Sequence, residues 1–335
     1  MTFRVLYGIA ASSPMAIGGG TIADLYVKSE SWKAMAIFGM GPLLGPVIGP
    51  VIDGFVSQDI GWRWTFWLLL ILSSVIFLIS VVILRETYEP ALLGRKAARR
   101  CKKTGNAKLY ARTFKDLTPT QVLRRSIMRP TKMIFLSPNV FLISIYCAFM
   151  FSLLYLLFTR FPGVFEETYG WGPGISGLAY LGLGIGMIFS IALFGLLSDK
   201  LLKQPRGGTV ARPELRLILM MWCSPLVPVG FIWYGWSAKF HTHWILPILG
   251  TGLIGISAFL IMMPTQLYLV DSFGIEGSAS ALAGNTVLRS LFTALLPLAG
   301  TDMYARLGLG WGNTLLGFIV LVFVPVPRLF FKYEV

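Results

Sequence analysis

Arg289 stands four residues after Asn285, near the middle of an apolar run over residues 278–299. A charged side chain at that depth costs roughly 2.5–3.5 kcal/mol on insertion scales, so it needs a reason to be there. One helical turn separates the two residues, which puts both on one side of a helix and toward a cavity rather than lipid. The other reading is structural: the guanidinium donates to backbone carbonyls freed at the many Pro and Gly positions. A second pattern is Gly41, Pro42, Gly45, Pro46, Gly49 and Pro50, a Gly-Pro pair every four residues. Each proline removes one donor and frees a carbonyl, while the glycines form a ridge without side chains where a neighbouring helix can approach. Such a helix serves either as a packing face or as a bend used in conformational exchange.

Catalytic chemistry has no comparable support. Asp24, Asp53, Asp199 and Asp271 all fall at the ends of apolar runs, and no carboxylate sits in the middle of one. His241 and His243 flank Thr242 without a further His, Cys or acid nearby, and no Ser-His-Asp arrangement is present. A Gly-rich phosphate loop with its Lys is also missing, which argues against an ATP-driven pump. No enzyme activity, cofactor or metal is expected.

The elements that must carry these residues follow from composition. Of 335 residues 55% are hydrophobic and 13% charged, and the mean hydropathy is +0.71. A water-soluble domain has no use for so much apolar sequence. Apolar runs of about 20 residues without period-two alternation exclude a β-barrel and require helical spans. Nine are expected, at about 5–25, 33–55, 64–84, 138–159, 175–197, 215–235, 244–269, 278–299 and 311–327. Cys101, Cys147 and Cys223 have neither metal spacing nor a disulfide framework, and the last two read as small packing residues.

The formal net charge of +14 would suit nucleic acid in a soluble chain. In a polytopic membrane protein it points to basic loops at the inner phospholipid surface, and no nucleic-acid partner is expected. The polar segment 85–137 carries Arg95, Lys96, Arg99, Arg100, Lys102 and Lys103. Placing it in the cytoplasm puts the C-terminus inside, Met1 outside, and only Arg4, Arg63, Arg160, Lys239 and Arg306 at outer ends. Within it Thr118, Pro119 and Gln121 read as cap, first residue and capping partner of a short amphipathic helix that Arg129-Pro130 ends. That helix either lies on the anionic inner leaflet or is a solvated connection between two bundles.

These residues resemble the major facilitator superfamily, more closely its fungal branch of drug:proton antiporters that export drugs and polyamines. Arg4-Val-Leu-Tyr-Gly8 and the segment Ala16 to Asp24 are similar to the family's fourth helix. The Gly41-Pro42 to Pro50 run resembles the fifth-helix antiporter motif, and Gly61 to Trp67 and Arg85 to Pro90 resemble the segments bracketing the sixth helix. Gly195, Asp199 and Lys200 with Arg206 look like the later copy of the inner-loop signature, and Asn285 to Arg289 and Gly310 to Asn313 like the last two helices. Asp53, Arg160 and Phe151-Ser152 depart from the pattern, where Gly, a small hydroxyl residue and an aromatic-Gly pair are usual.

The resemblance begins at the family's fourth helix. It implies an all-α polytopic membrane protein with an incomplete major facilitator fold of about nine transmembrane helices, three plus six. Residues 1–84 would be the remnant of the N-terminal half, 85–137 the basic cytoplasmic loop, and 138–335 the six-helix C-terminal half. It further implies that Arg4 takes part in proton coupling, that the Gly-Pro helix governs leakage and bending, and that Asp199, Lys200 and Arg206 latch the inner gate. Asn285 and Arg289 would face the substrate cavity. The expected function is export of drugs, toxins or other amphipathic or cationic small molecules across the plasma membrane, by proton antiport with alternating access. Substrate, protons and the lipid bilayer are the partners. A truncated membrane protein without transport activity, or an incomplete gene model, is the alternative.

Overall fold

The computed structural model describes residues 2–26, 31–87, 89–105, 119–202 and 215–328; at some positions within them, Arg4, Asp24, Asp199, Lys200 and Asp271 included, only the backbone is described. Among these residues the regular structure is entirely helical. In chain order the helices are α1 (Thr2–Leu25), α2 (Ser31–Asp59), α3 (Trp62–Ile83), α4 (Glu89–Thr104), α5 (Pro119–Leu136), α6 (Pro138–Tyr169), α7 (Pro173–Leu178), α8 (Tyr180–Leu202), α9 (Leu215–Cys223), α10 (Leu226–Lys239) and α11 (Ile245–Phe323).

Seven segments of the described residues are long and apolar enough to cross a membrane: Ile37–Asp59, Trp62–Ile83, Val140–Tyr169, Pro173–Leu197, Leu217–Lys239, Ile245–Val270 and Ser280–Arg328. The last has 49 residues, about 73 Å of helix at 1.5 Å per residue, more than twice the hydrocarbon thickness. It folds back on itself. Gly308 has φ +70°, the left-handed region that a Cβ disfavours, and the Tyr304 hydroxyl donates to Asn313 Oδ1 at 2.9 Å. Nine residues of straight helix would set the two Cα atoms about 13 Å apart, whereas Gly312 lies directly against the Tyr304 ring and the Met303 side chain. The two expected runs 278–299 and 311–327 therefore lie within one apolar segment, and the expected first run corresponds to α1, 24 residues long.

The chain divides into two compact units, Met1–Phe38 with Trp67–Arg129 and Gly39–Phe66 with Pro130–Val335. α3, whose first turn belongs to the second unit and the rest to the first, has no buried residue, the condition of a helix whose apolar side chains are left for lipid. The basic helix α4 replaces part of what the sequence reads as a long loop. In the second unit α6, α8, α10 and α11 pack around a core that includes Tyr146, Phe161, Phe165, Phe231 and Phe259, each at most 1% exposed.

Close backbone approach does much of this packing, since lipid tails offer helices no hydrophobic drive toward one another. Gly182 and Gly186 of α8 lie directly against Ile248 and Gly252 of α11, and Gly255 against the Leu183 carbonyl. On the other side of the unit Gly177 faces the Pro50 carbonyl of α2, and Gly54 faces Pro173.

Two sequence expectations need correction, and a third span carries an internal break. The amphipathic helix does not stop at Arg129-Pro130: α5 runs on to Leu136 with Pro130 inside it. An interior proline costs roughly 3 kcal/mol, and the packing of buried Ile134 against Gly284 of α11 offsets it. The 138–159 run extends to Tyr169 across Pro162, which takes Glu166 and Glu167 into α6; Gly170, at φ 67°, caps it. The span expected over 215–235 is present as Leu217–Lys239, with an internal break at Ser224-Pro225 between α9 and α10 where the proline lacks a donor.

Candidate functional site

A narrow cleft, with room for little more than a water molecule, opens between three helix faces of the second unit. α6 contributes Cys147, Met150, Phe151 and Leu154, which share one face by their spacing of three and four. Val227 and Phe231 of α10 and Ile254, Ala258, Ile261 and Met262 of α11 complete it by the same periodicity. The lining is apolar, with sulfur-bearing and aromatic side chains that accommodate varied shapes.

Polar groups stand immediately behind this wall. The Arg289 guanidinium lies over the Phe151 ring, 4.6 Å from its centroid, and the Cys147 thiol is beside the side chains of Thr265 and Asn285 and within electrostatic reach of Arg289. Arg289 is 6% exposed and Asn285 2%, yet Arg289 Nη1 and Asn285 Oδ1 have no hydrogen-bond partner. A desolvated cation–π contact is worth about 2 kcal/mol, less than the several kcal/mol needed to remove a guanidinium from water. Arg289 Nη1 and Asn285 Oδ1 thus lie buried without a protein partner, on residues a turn apart, behind the cleft wall.

Residues 1–297 match the family model described as Major Facilitator Superfamily. The chain belongs to that superfamily. The transporter is 69% identical over 334 residues to the MFS transporter prlG of Fungal sp. (strain NRRL 50135), covering 99% of this chain and 71% of that protein. It is 64% identical over 334 residues to the MFS-type transporter phm3 of Pyrenochaetopsis sp, covering 99% of this chain and 69% of that one. The fold is similar to the partially occluded inward open conformation of the xylose transporter XylE from E. coli, with TM-score 0.67 and 16% identity over 99% of this chain and 70% of that one. At that identity the likeness concerns the fold alone. Family membership places the protein among membrane transporters and not among enzymes.

A second polar cluster lies toward the far end of α6. The transporter's Arg160 guanidinium is 5.8 Å from the Tyr304 ring centroid, and its Nη2 is buried without a partner, as is the Tyr234 hydroxyl. Tyr234 stacks on Phe161 at 5.7 Å, which also meets Tyr180 at 5.0 Å. Asn313 joins the cluster through Tyr304 and donates to the Leu309 carbonyl at 2.9 Å.

Of the residues singled out from sequence, Asn285 and Arg289 are both buried on α11 behind the cleft wall. At Gly41, Gly45 and Gly49 an added Cβ would meet nothing within 4 Å among the described residues. The close contacts of α2 use another face, with Gly39 against Met263, Val47 against Gly184 and Gly54 against Pro173. Pro42, Pro46 and Pro50 all remain inside the helix. The side chains of Arg4, Asp199 and Lys200, and all of Arg206, lie outside the described residues. Asp53, a departure from the family pattern, accepts a hydrogen bond from the Thr65 hydroxyl at 2.6 Å. Sequence reasoning missed Cys147 and Phe151 as neighbours of Arg289. Their spacing of four in an aromatic helix was visible, but nothing local says which helix they oppose.

Proposed function

We propose that this chain is a secondary transporter that exports amphipathic small molecules, drugs or toxins among them, across a fungal plasma membrane by alternating access in exchange for protons. The observation that carries the reading is the pair of unmet polar atoms on Arg289 and Asn285 beside an apolar cleft, in a family of membrane transporters. Such a site offers an apolar wall for the body of a ligand and polar groups for its head. The fungal relatives, named as MFS transporters, support the same direction. Nine crossings in a three-plus-six plan, with domains 1–84, 85–137 and 138–335 and the basic loop and C-terminus in the cytoplasm, are the topology that goes with it.

In this mechanism Arg4 takes part in proton coupling, Asp199, Lys200 and Arg206 latch the inner gate, and the Gly-Pro helix changes shape between states. A helix with three interior prolines has fewer ladder hydrogen bonds to break when it bends. Expression in a yeast strain stripped of its own exporters tests the reading. Tolerance of amphipathic toxins should rise, with efflux that collapses when the proton gradient is discharged, and Arg289→Leu should insert normally but lose most of that efflux. Absence of gradient-dependent efflux, or full efflux by Arg289→Leu, refutes it.

A further inference from the structure

We infer that one face of helix α4 is a docking surface for the anionic phospholipid headgroups of the inner leaflet. The inference rests on the cytoplasmic placing of residues 85–137 and names what that segment touches. α4 carries Arg95, Lys96, Arg99, Arg100, Lys102 and Lys103 against a single acid, Glu89. At 3.6 residues per turn the six cations fall within an arc of about 160°, which they share with Glu89 and Leu92. Ala91, Leu93, Gly94, Ala97, Ala98 and Cys101 occupy the opposite arc. All six cations are exposed, whereas Ala91, Gly94, Ala97 and Cys101 are half-buried. The basic arc is therefore the free surface of the helix.

Two further observations put that arc at the membrane surface. α3 ends at Ile83 and α4 begins at Glu89, so the connection reaches at most about 22 Å from the end of an apolar span. Within it Glu86 Oε2 lies 3.8 Å from Arg95 Nη2, which turns the basic arc toward the chain as it leaves the span. Helix stability does not account for the charges. Lys102 and Lys103 suit the last turn, but Lys96, Arg99, Arg100 and Lys103 crowd like charges at spacings of three and four, which disfavours an isolated helix. Among the described residues Lys96, Arg99 and Arg100 have no carboxylate within 4.0 Å. A sheet of lipid phosphates relieves this repulsion. The opposite arc offers mostly small side chains, so attraction of charge rather than insertion into the acyl region holds the helix down.

The test uses the purified full chain in nanodiscs of phosphatidylcholine, with or without one-third phosphatidylserine. A fluorophore on Cys101, on the arc opposite the cations, reports energy transfer to acceptor-labelled headgroups, since Cys147 and Cys223 are buried. Transfer should rise with phosphatidylserine and fall back at about 0.5 M salt, where screening reaches only about 4 Å. Each Lys or Arg near an anionic surface favours docking about 5-fold. Lys96→Gln, Arg99→Gln and Arg100→Gln combined should therefore lower the ratio of docked to free helix about 100-fold, whereas Arg99→Lys with Arg100→Lys should leave it near its original value. Equal transfer in both lipid mixtures, or a full shift in the triple Gln variant, overturns the inference. Release by inorganic phosphate at constant ionic strength overturns it too, by assigning the arc to soluble anions. A phosphatidylserine-dependent shift together with labelling of Cys101 from outside intact cells defeats the cytoplasmic placing alone; a protected Cys101 without the shift defeats this inference alone.

Discussion

Replacing Gly54 and Gly49 by alanine, one at a time, separates packing from helix propensity in α2. At Gly54 the added Cβ would stand 2.6 Å from the Pro173 carbonyl oxygen and 3.1 Å from Gly174 Cα, both backbone atoms with no flexible end to turn aside. Ordinary contact needs about 3.4 Å, so α2 and α7 must part by roughly 0.8 Å, an overpacking that costs about 1–3 kcal/mol. At Gly49 the Cβ meets nothing within 4 Å among the described residues. Both substitutions gain the same propensity, up to about 1 kcal/mol, which cancels in the difference. Gly54→Ala should therefore be less stable than Gly49→Ala by about 1–3 kcal/mol, roughly 5- to 150-fold in the unfolding constant. Titration with a denaturing detergent in mixed micelles, followed by circular dichroism, reads this directly. Equal midpoints for the two variants would refute the packing of α2 on α7.

Three further outcomes follow from the same geometry. A membrane-impermeant thiol reagent should miss Cys101 in intact cells and label it after the membrane is opened, while buried Cys147 and Cys223 stay protected; labelling of Cys101 from outside would overturn the orientation. Tyr304→Phe removes the 2.9 Å hydrogen bond to Asn313 and should cost about 0.5–1.5 kcal/mol in the same unfolding assay, with no effect meaning that the fold-back is held by other contacts. Gly308→Ala forces a Cβ into φ +70° and should destabilise by about 1–2 kcal/mol; a neutral result would remove the turn from Gly308.

The amino-acid sequence alone determines that this is a helical membrane protein, because transfer of an apolar run into lipid depends on that run and hardly on its neighbours. It also puts Asn285 and Arg289 on one helix side, since 3.6-residue periodicity is local, and its motifs carry the family resemblance. It does not determine what those side chains meet. Phe151 under the Arg289 guanidinium, the continuation of α5 through Pro130, and the choice of Gly54 over Gly41, Gly45 and Gly49 as the close contact of α2 were decided only by tertiary structure. Each depends on which of several small-residue faces finds a partner of matching shape. In lipid all apolar faces are nearly equivalent toward the solvent, so that choice is made by how closely two particular backbones can approach, a property of the pair that neither helix's sequence contains.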